Sequence, residues 1–222
     1  MEDKIKDIMG SQTNPTIAPY AKEGEAILRI TASGKDKEDA EAIMAPVERK
    51  IKDRLKDNIY GTGDTSIDEV VAKELIKRKL TIALAESCTG GLLAARLVRN
   101  PGVSAVLIEG AVTYSNDAKM RRLNVKRETL DKFGAVSEQT ASEMVQGIVK
   151  SSNADIGISV TGIAGPEGGS AEKPVGLVYV GLYIKGRTMV RKFNFSGKRE
   201  KVQNLTVINA LDWLRRELEH ME

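Results

Sequence analysis

From residue 66 onward, short unbroken apolar runs alternate with stretches in which apolar residues recur every three or four positions. The first pattern is that of buried strands and the second that of amphipathic helices. Ser66-Ile67-Asp68-Glu69 has the form of a capping box, and Val70, Val71, Leu75 and Ile76 give the following helix its apolar face. Residues 80–85 predict a short strand and 90–100 a helix, stopped by Pro101-Gly102. Residues 104–113 predict a second strand, and 117–132 one or two short helices. Ser137 caps a helix reaching about Ser151, and 155–160 predict a third strand. A Gly/Pro-rich loop spans 161–174. Residues 175–184 and 188–195 predict a strand pair joined by Lys185-Gly186-Arg187. Residues 198–219 close the chain as a helix with Val202, Leu205, Ile208, Leu211, Trp213 and Leu214 mostly inward.

Before residue 60 the pattern changes, with charge dense and glycine sparse. Residues 25–31 read as an extended piece. A helix follows from about Asp36, its N-cap, to Lys56, with Ala40, Ile43, Val47, Ile51 and Leu55 at helical spacing. One strand and one helix bury little core alone, so this segment reads as a small α+β appendage. Residues 58–64 are the linker. Beyond it, strand–helix alternation implies an α/β fold: a three-layer α/β/α sandwich with a mostly parallel sheet and an antiparallel strand pair near one side.

Composition narrows the function classes. The 222 residues include 34 Lys+Arg, 31 Asp+Glu, one His and one Cys, and 41% are hydrophobic. No apolar run approaches the ~18–20 residues of a membrane span, and the N-terminus lacks the features of a signal peptide. A cytoplasmic protein without a membrane partner is expected. A single cysteine and a single histidine exclude an internal disulfide and the usual Cys/His zinc site. His220 lies near the chain end, which argues against a Ser-His-Asp triad. The net charge of +3 is unsegregated and aromatics are only 4%, too few for a base-stacking platform.

In parallel α/β sheets, ligands sit at the carboxyl ends of strands. Three loops fall there. The first is Glu86-Ser87-Cys88-Thr89-Gly90-Gly91. A serine where a strand turns directly into a helix resembles a nucleophile elbow, and such a serine is equally an ordinary helix cap. Cys88 could be a nucleophile instead, with no histidine as its base, or a small buried thiol. The second loop, Thr113-Tyr114-Ser115-Asn116-Asp117, leads to Lys119. With Asp117 as N-cap, Lys119 falls in the first helical turn, where a cation either points to solvent or has its pKa lowered. Tyr114 can face the same cleft or close the core edge. The third loop, Thr161-Gly162-Ile163-Ala164-Gly165-Pro166-Glu167-Gly168-Gly169-Ser170, lacks the P-loop and dinucleotide fingerprints. Its glycines permit close backbone approach to a ligand, and Lys173 supplies a point charge suited to phosphate; a mobile connection is the other reading.

Together, Ala85-Glu86-Ser87-Cys88-Thr89-Gly90-Gly91, Thr113-Tyr114-Ser115-Asn116 with Lys119, Gly134-Ala135-Val136-Ser137, and Val160 through Pro166 with Lys173-Pro174-Val175-Gly176 resemble the CinA C-terminal domain. This is the nicotinamide-nucleotide amidohydrolase (NMN deamidase, PncC) family. The resemblance runs from about Asp64 to Glu217. Residues 13–61 are similar to the end of the small KH-like linker domain of full-length CinA proteins, whose large N-terminal domain the resemblance does not include. These boundaries give two domains, 1–60 and 64–222.

The resemblance implies hydrolysis of nicotinamide mononucleotide (NMN) to nicotinic acid mononucleotide and ammonia. Ser87 would be the nucleophile, and Lys119, with Tyr114 beside it, the proton acceptor. Backbone N–H groups of Thr89 and Gly90 would form an oxyanion hole. Thr161, Gly162, Gly165, Lys173 and Arg199 would hold the substrate, with Lys173 and Arg199 offsetting its phosphate. Lys198 stands where the family pattern has Asp before Arg199. No metal or other cofactor is implied. A homo-oligomer is expected. No nucleic-acid partner is expected, because residues 1–60 lack the Gly-x-x-Gly clamp of KH domains. The competing class is a module that binds a nucleotide without turning it over.

Overall fold

The computed structural model describes residues 2–10 and 13–221. The chain forms two compact units, Met1–Gly63 and Asp64–Glu222.

The first unit contains helix α1 (Glu2–Gly10), strands β1 (Thr16–Lys22) and β2 (Glu25–Thr31), and helix α2 (Lys37–Leu55). The strands form an antiparallel ribbon with Ile17 opposite Ile30. Asp36 caps α2 by accepting the Asp39 N–H. The core is small: Ile5, Ile17, Ile51 and Leu55 are buried, with Leu28, Ile30 and Val47 against them. Helix α1 and strand β1 depart from the sequence expectation of one strand and one helix. Pro19 disguises β1, since proline cannot donate to a ladder and is tolerated only where its face is unpaired. Both strands of a two-stranded ribbon have such a face. In α1, Ile5 is the fully buried anchor, with Ile8 and Met9 against the same core and charged residues between them.

The second unit carries helix α3 (Ile67–Arg78), strand β3 (Ile82–Glu86), helix α4 (Leu92–Val98), strand β4 (Leu107–Val112), helices α5 (Asn116–Leu123), α6 (Arg127–Phe133) and α7 (Glu138–Ser152), strands β5 (Ile156–Gly162), β6 (Leu177–Ile184) and β7 (Arg187–Asn194), and helix α8 (Arg199–Glu219). The sheet order is β4-β3-β5-β6-β7. Strand β3 runs parallel to β4 and β5, while β6 and β7 are antiparallel. Helix α7 lies across β3, β5, β6 and β7, with α5 and α6 packed beside it. Helices α3, α4 and α8 pack together, α4 also meeting β3 and α8 meeting β6. This is the expected three-layer α/β arrangement.

All five residues of β3 are buried, which fits a strand covered on both faces. The β6–β7 connection is a two-residue turn with positive φ at Lys185 and Gly186, the geometry that matches strand twist in tight hairpins. Gly147 sets how closely α5 approaches α7. A Cβ there would lie 1.9 Å from the Leu123 carbonyl oxygen, so any larger residue would push α5 outward. That approach matters because α5 carries Lys119.

Candidate active site

Strand β3 ends at Glu86 and delivers Ser87 to the carboxyl edge of the sheet. The turn 87–91 then enters α4, with Gly90 and Gly91 both at positive φ (+62° and +99°). Ser87 is therefore no helix cap; the N-cap of α4 is Gly91, which has no side chain to cap with. Strand β4 ends one step away, held by the Thr113 N–H on the Glu86 carbonyl. Ser115, rather than the expected Asp117, caps α5 by accepting the Ala118 N–H. Its shorter side chain follows an extended backbone directly at the strand exit. Lys119 consequently sits a full turn into α5, with its own N–H bonded to the Ser115 carbonyl.

That placement points Lys119 inward. Its side chain is 1% exposed, and Nζ meets three oxygens: Thr113 O at 2.8 Å, Tyr114 O at 3.1 Å and Ser87 Oγ at 3.1 Å. Burial pushes its pKa down to about 8. The cause is desolvation of the ammonium, rather than the helix-terminus field expected from the sequence. A neutral amine has two hydrogens and one lone pair. With both hydrogens on the carbonyls of Thr113 and Tyr114, the lone pair faces the Ser87 hydroxyl.

Cys88 adjoins Ser87 but is a different kind of group. Its thiol is buried, and burial raises its pKa to about 12. It is thus held as the unreactive thiol near neutral pH.

Ser87, Cys88, Tyr114, Lys119, Thr161, Gly162, Gly165 and Arg199 share the lining of one open cavity of about 230 Å³. Ala135, Val136, Ile163, Ala164, Glu167 and Gly168 complete its wall. Thr161, at the end of β5, is fully buried and donates its hydroxyl to Ala135 O at 2.7 Å. Arg199, at the start of α8, spans the opening. It donates to Gly165 O at 2.9 Å and to the Tyr114 hydroxyl at 3.2 Å. One turn further along α8, Gln203 donates to Cys88 O at 2.7 Å.

Three sequence-based assignments change. Tyr114 touches Lys119 through its backbone carbonyl; its ring is 62% exposed and its hydroxyl meets Arg199. Lys173 does not line the cavity, and its ammonium donates to Phe133 O at 2.6 Å. The Gly90 N–H is occupied by the Ser87 carbonyl at 3.1 Å, closing the turn rather than facing a ligand. The N–H groups of Cys88 and Thr89 make no such bond among the described residues.

The site also contains a residue given no role from sequence. Glu86 is 1% exposed and its carboxylate accepts the N–H groups of Gly91, Leu93 and Ala94 at 3.1, 3.0 and 2.9 Å. No sequence signal singled it out, because Ser87 and Thr89 both stand where a helix cap is expected, and only the structure shows Gly91 at the N-cap.

A three-layer α/β domain on a mixed sheet, with a serine–lysine pair at the ends of its parallel strands, is the class of protein that fold and site define. Comparison with known proteins gives the family. The model of the CinA C-terminal domain matches residues 64–218, and that of the damage-inducible protein CinA KH domain matches residues 1–61. The chain belongs to the CinA family. A relative from Clostridium botulinum strain Langeland, named "Putative competence-damage inducible protein", is 59% identical over 216 residues, covering 97% of this chain and 53% of the relative. The chain thus spans about half the length of the curated relatives it matches. Among solved structures, the competence/damage inducible protein CihA of Agrobacterium tumefaciens is 42% identical with a TM-score of 0.65. That match covers 72% of this chain and 99% of that one. A CinA superfamily protein of Klebsiella pneumoniae is 39% identical with a TM-score of 0.67, covering 69% and 96%.

Proposed function

We propose that this chain hydrolyses the carboxamide of nicotinamide mononucleotide, giving nicotinic acid mononucleotide and ammonia in the cytoplasm. The observation that carries the reading is the Ser87 hydroxyl 3.1 Å from a buried Lys119 amine whose pKa lies at about 8. A lysine deprotonated at so low a pH is a competent general base. The family resemblance supplies the substrate class.

Ser87 Oγ bonds to the carboxamide carbon as its proton passes to Lys119 Nζ. The tetrahedral oxyanion is met by the N–H groups of Cys88 and Thr89. The C–N bond then breaks, and the leaving nitrogen takes the proton from Lys119 and departs as ammonia. Water attacks the resulting ester, giving its proton to Lys119. Ser87 Oγ recovers that proton as the carboxylic acid leaves. Atoms balance as amide plus water to acid plus ammonia.

The surrounding groups suit this substrate. Because Thr161 gives its own proton to Ala135 O, its remaining lone pairs can only accept, which fits the NH₂ of a carboxamide. Arg199 uses two of its five N–H donors on Gly165 and Tyr114, leaving others for a phosphate at the opening. The test is ammonia release from nicotinamide mononucleotide, with nicotinamide and nicotinamide riboside as controls. Tight nucleotide binding with no ammonia would replace hydrolysis by a binding module.

A further inference from the structure

We infer that Glu86 is the positioning residue of the nucleophile turn: it ties down the N–H groups that begin α4 so that those of Cys88 and Thr89 stay directed to the oxyanion. The inference rests on the hydrolytic reading above and adds to it the group that sets the geometry of the hole.

The start of a helix leaves its first N–H groups without intrahelical partners, and a side chain at the N-cap ordinarily takes one of them. Here the N-cap is Gly91 at φ +99°, where L side chains are strained. The cap instead comes from five residues earlier, on a strand. The Glu86 carboxylate takes the Gly91 and Leu93 N–H on one oxygen and the Ala94 N–H on the other. Every N–H from Gly90 to Ala95 is then satisfied, the rest through Ser87 O, Thr89 O and Gly91 O. The N–H groups of Cys88 and Thr89, immediately beside the nucleophile, are left without a main-chain acceptor among the described residues.

A buried carboxylate is costly unless fully hydrogen-bonded. Glu86 makes no ion pair among the described residues, so these three N–H groups hold its charge in place. A neutral amide in its place would keep one acceptor and turn an NH₂ donor toward an N–H donor. The turn would have to shift, and a shift of this kind moves the oxyanion donors away from the reacting atom. Removal of one such donor costs ~100-fold or more in kcat.

The experiment compares wild type, Glu86→Gln and Glu86→Asp for kcat and KM with nicotinamide mononucleotide, alongside thermal melting. The expected result is a fall in kcat of ~100-fold for Glu86→Gln with KM changed less than about threefold. Glu86→Asp, one methylene too short, should lose at least about tenfold, also in kcat. A folded variant with wild-type kcat, or a loss confined to KM, would overturn the inference. Should neither variant fold, amide hydrogen exchange on the wild type decides. Gly91, Leu93 and Ala94 should be protected, with Cys88 and Thr89 exchanging freely; the reverse pattern would overturn it. If wild type releases no ammonia, the hydrolytic reading fails by itself. The rate at which Ser87 Oγ displaces fluoride from a fluorophosphonate then replaces kcat, with the same expected loss and the same contradicting result.

Discussion

Ser87 Oγ and Lys119 Nζ stand 3.1 Å apart in a pocket that leaves the lysine 1% exposed. The two residues are 32 positions apart in sequence and are brought together by adjacent parallel strands, β3 and β4. Two main-chain carbonyls fix the rotation of the amine, so the pair needs no histidine and no carboxylate to orient it.

The pH dependence follows from burial of Lys119. The base form is required, so kcat/KM should rise with pH and level off above about 8. Stability should move in the same direction. The folded-state pKa lies below the unfolded value, so between about 8 and 10.5 the unfolded chain binds more protons. Stability is therefore lower below the folded pKa and increases as pH rises through that window. Melting temperature should rise between about pH 8 and 9, a rise that Lys119→Ala flattens; above about 9 the raised Cys88 pKa acts in the opposite direction.

Lys119→Arg should be as inactive as Lys119→Ala, with kcat down by several powers of ten. A guanidinium keeps the charge and cannot release its proton near neutral pH. Activity in Lys119→Arg with an unshifted pH profile would remove the lysine from the role of base.

Much of this site was legible in the chain. The apolar strands ending at Glu86, Thr113 and Thr161 placed three loops at one sheet edge, and the hydroxyl-rich first loop singled out Ser87. What escaped was direction. The choice of Ser115 over Asp117 as cap turned Lys119 from the first turn into the interior, and no spacing rule fixes such a choice. The sequence suggests side-chain roles in the cleft for both Tyr114 and Lys173. The tyrosine lines the cleft but its hydroxyl accepts from Arg199 rather than meeting Lys119, and the lysine meets Phe133 O outside it, contacts between segments remote in sequence. In the first unit, the proline in β1 masked a strand that exists only because β2 folds back on it.

Tyr114→Phe should therefore retain kcat within a few-fold, because the carbonyl that touches Lys119 is unchanged. A loss of more than about tenfold in kcat at unchanged KM would restore the phenol to proton transfer.

Arg199→Ala should raise KM for nicotinamide mononucleotide while leaving kcat nearly unchanged, and should affect the phosphate-free riboside much less. Lys173→Ala should leave both KM values alone, since Lys173 does not line the cavity. Steady-state kinetics on the two substrates separates these outcomes.

Cys88→Ala should keep full activity, because the buried thiol with a pKa of about 12 contributes only its main-chain N–H to the reaction. Alkylation of the native protein at pH 7 should be slow by the same reasoning.

The most direct measurement is ammonia released from nicotinamide mononucleotide by wild type and Ser87→Ala in parallel. The Ser–Lys account predicts stoichiometric ammonia and nicotinic acid mononucleotide from wild type, and none above background from the variant although it still binds the nucleotide. Equal ammonia from both proteins, or none from either, would contradict it.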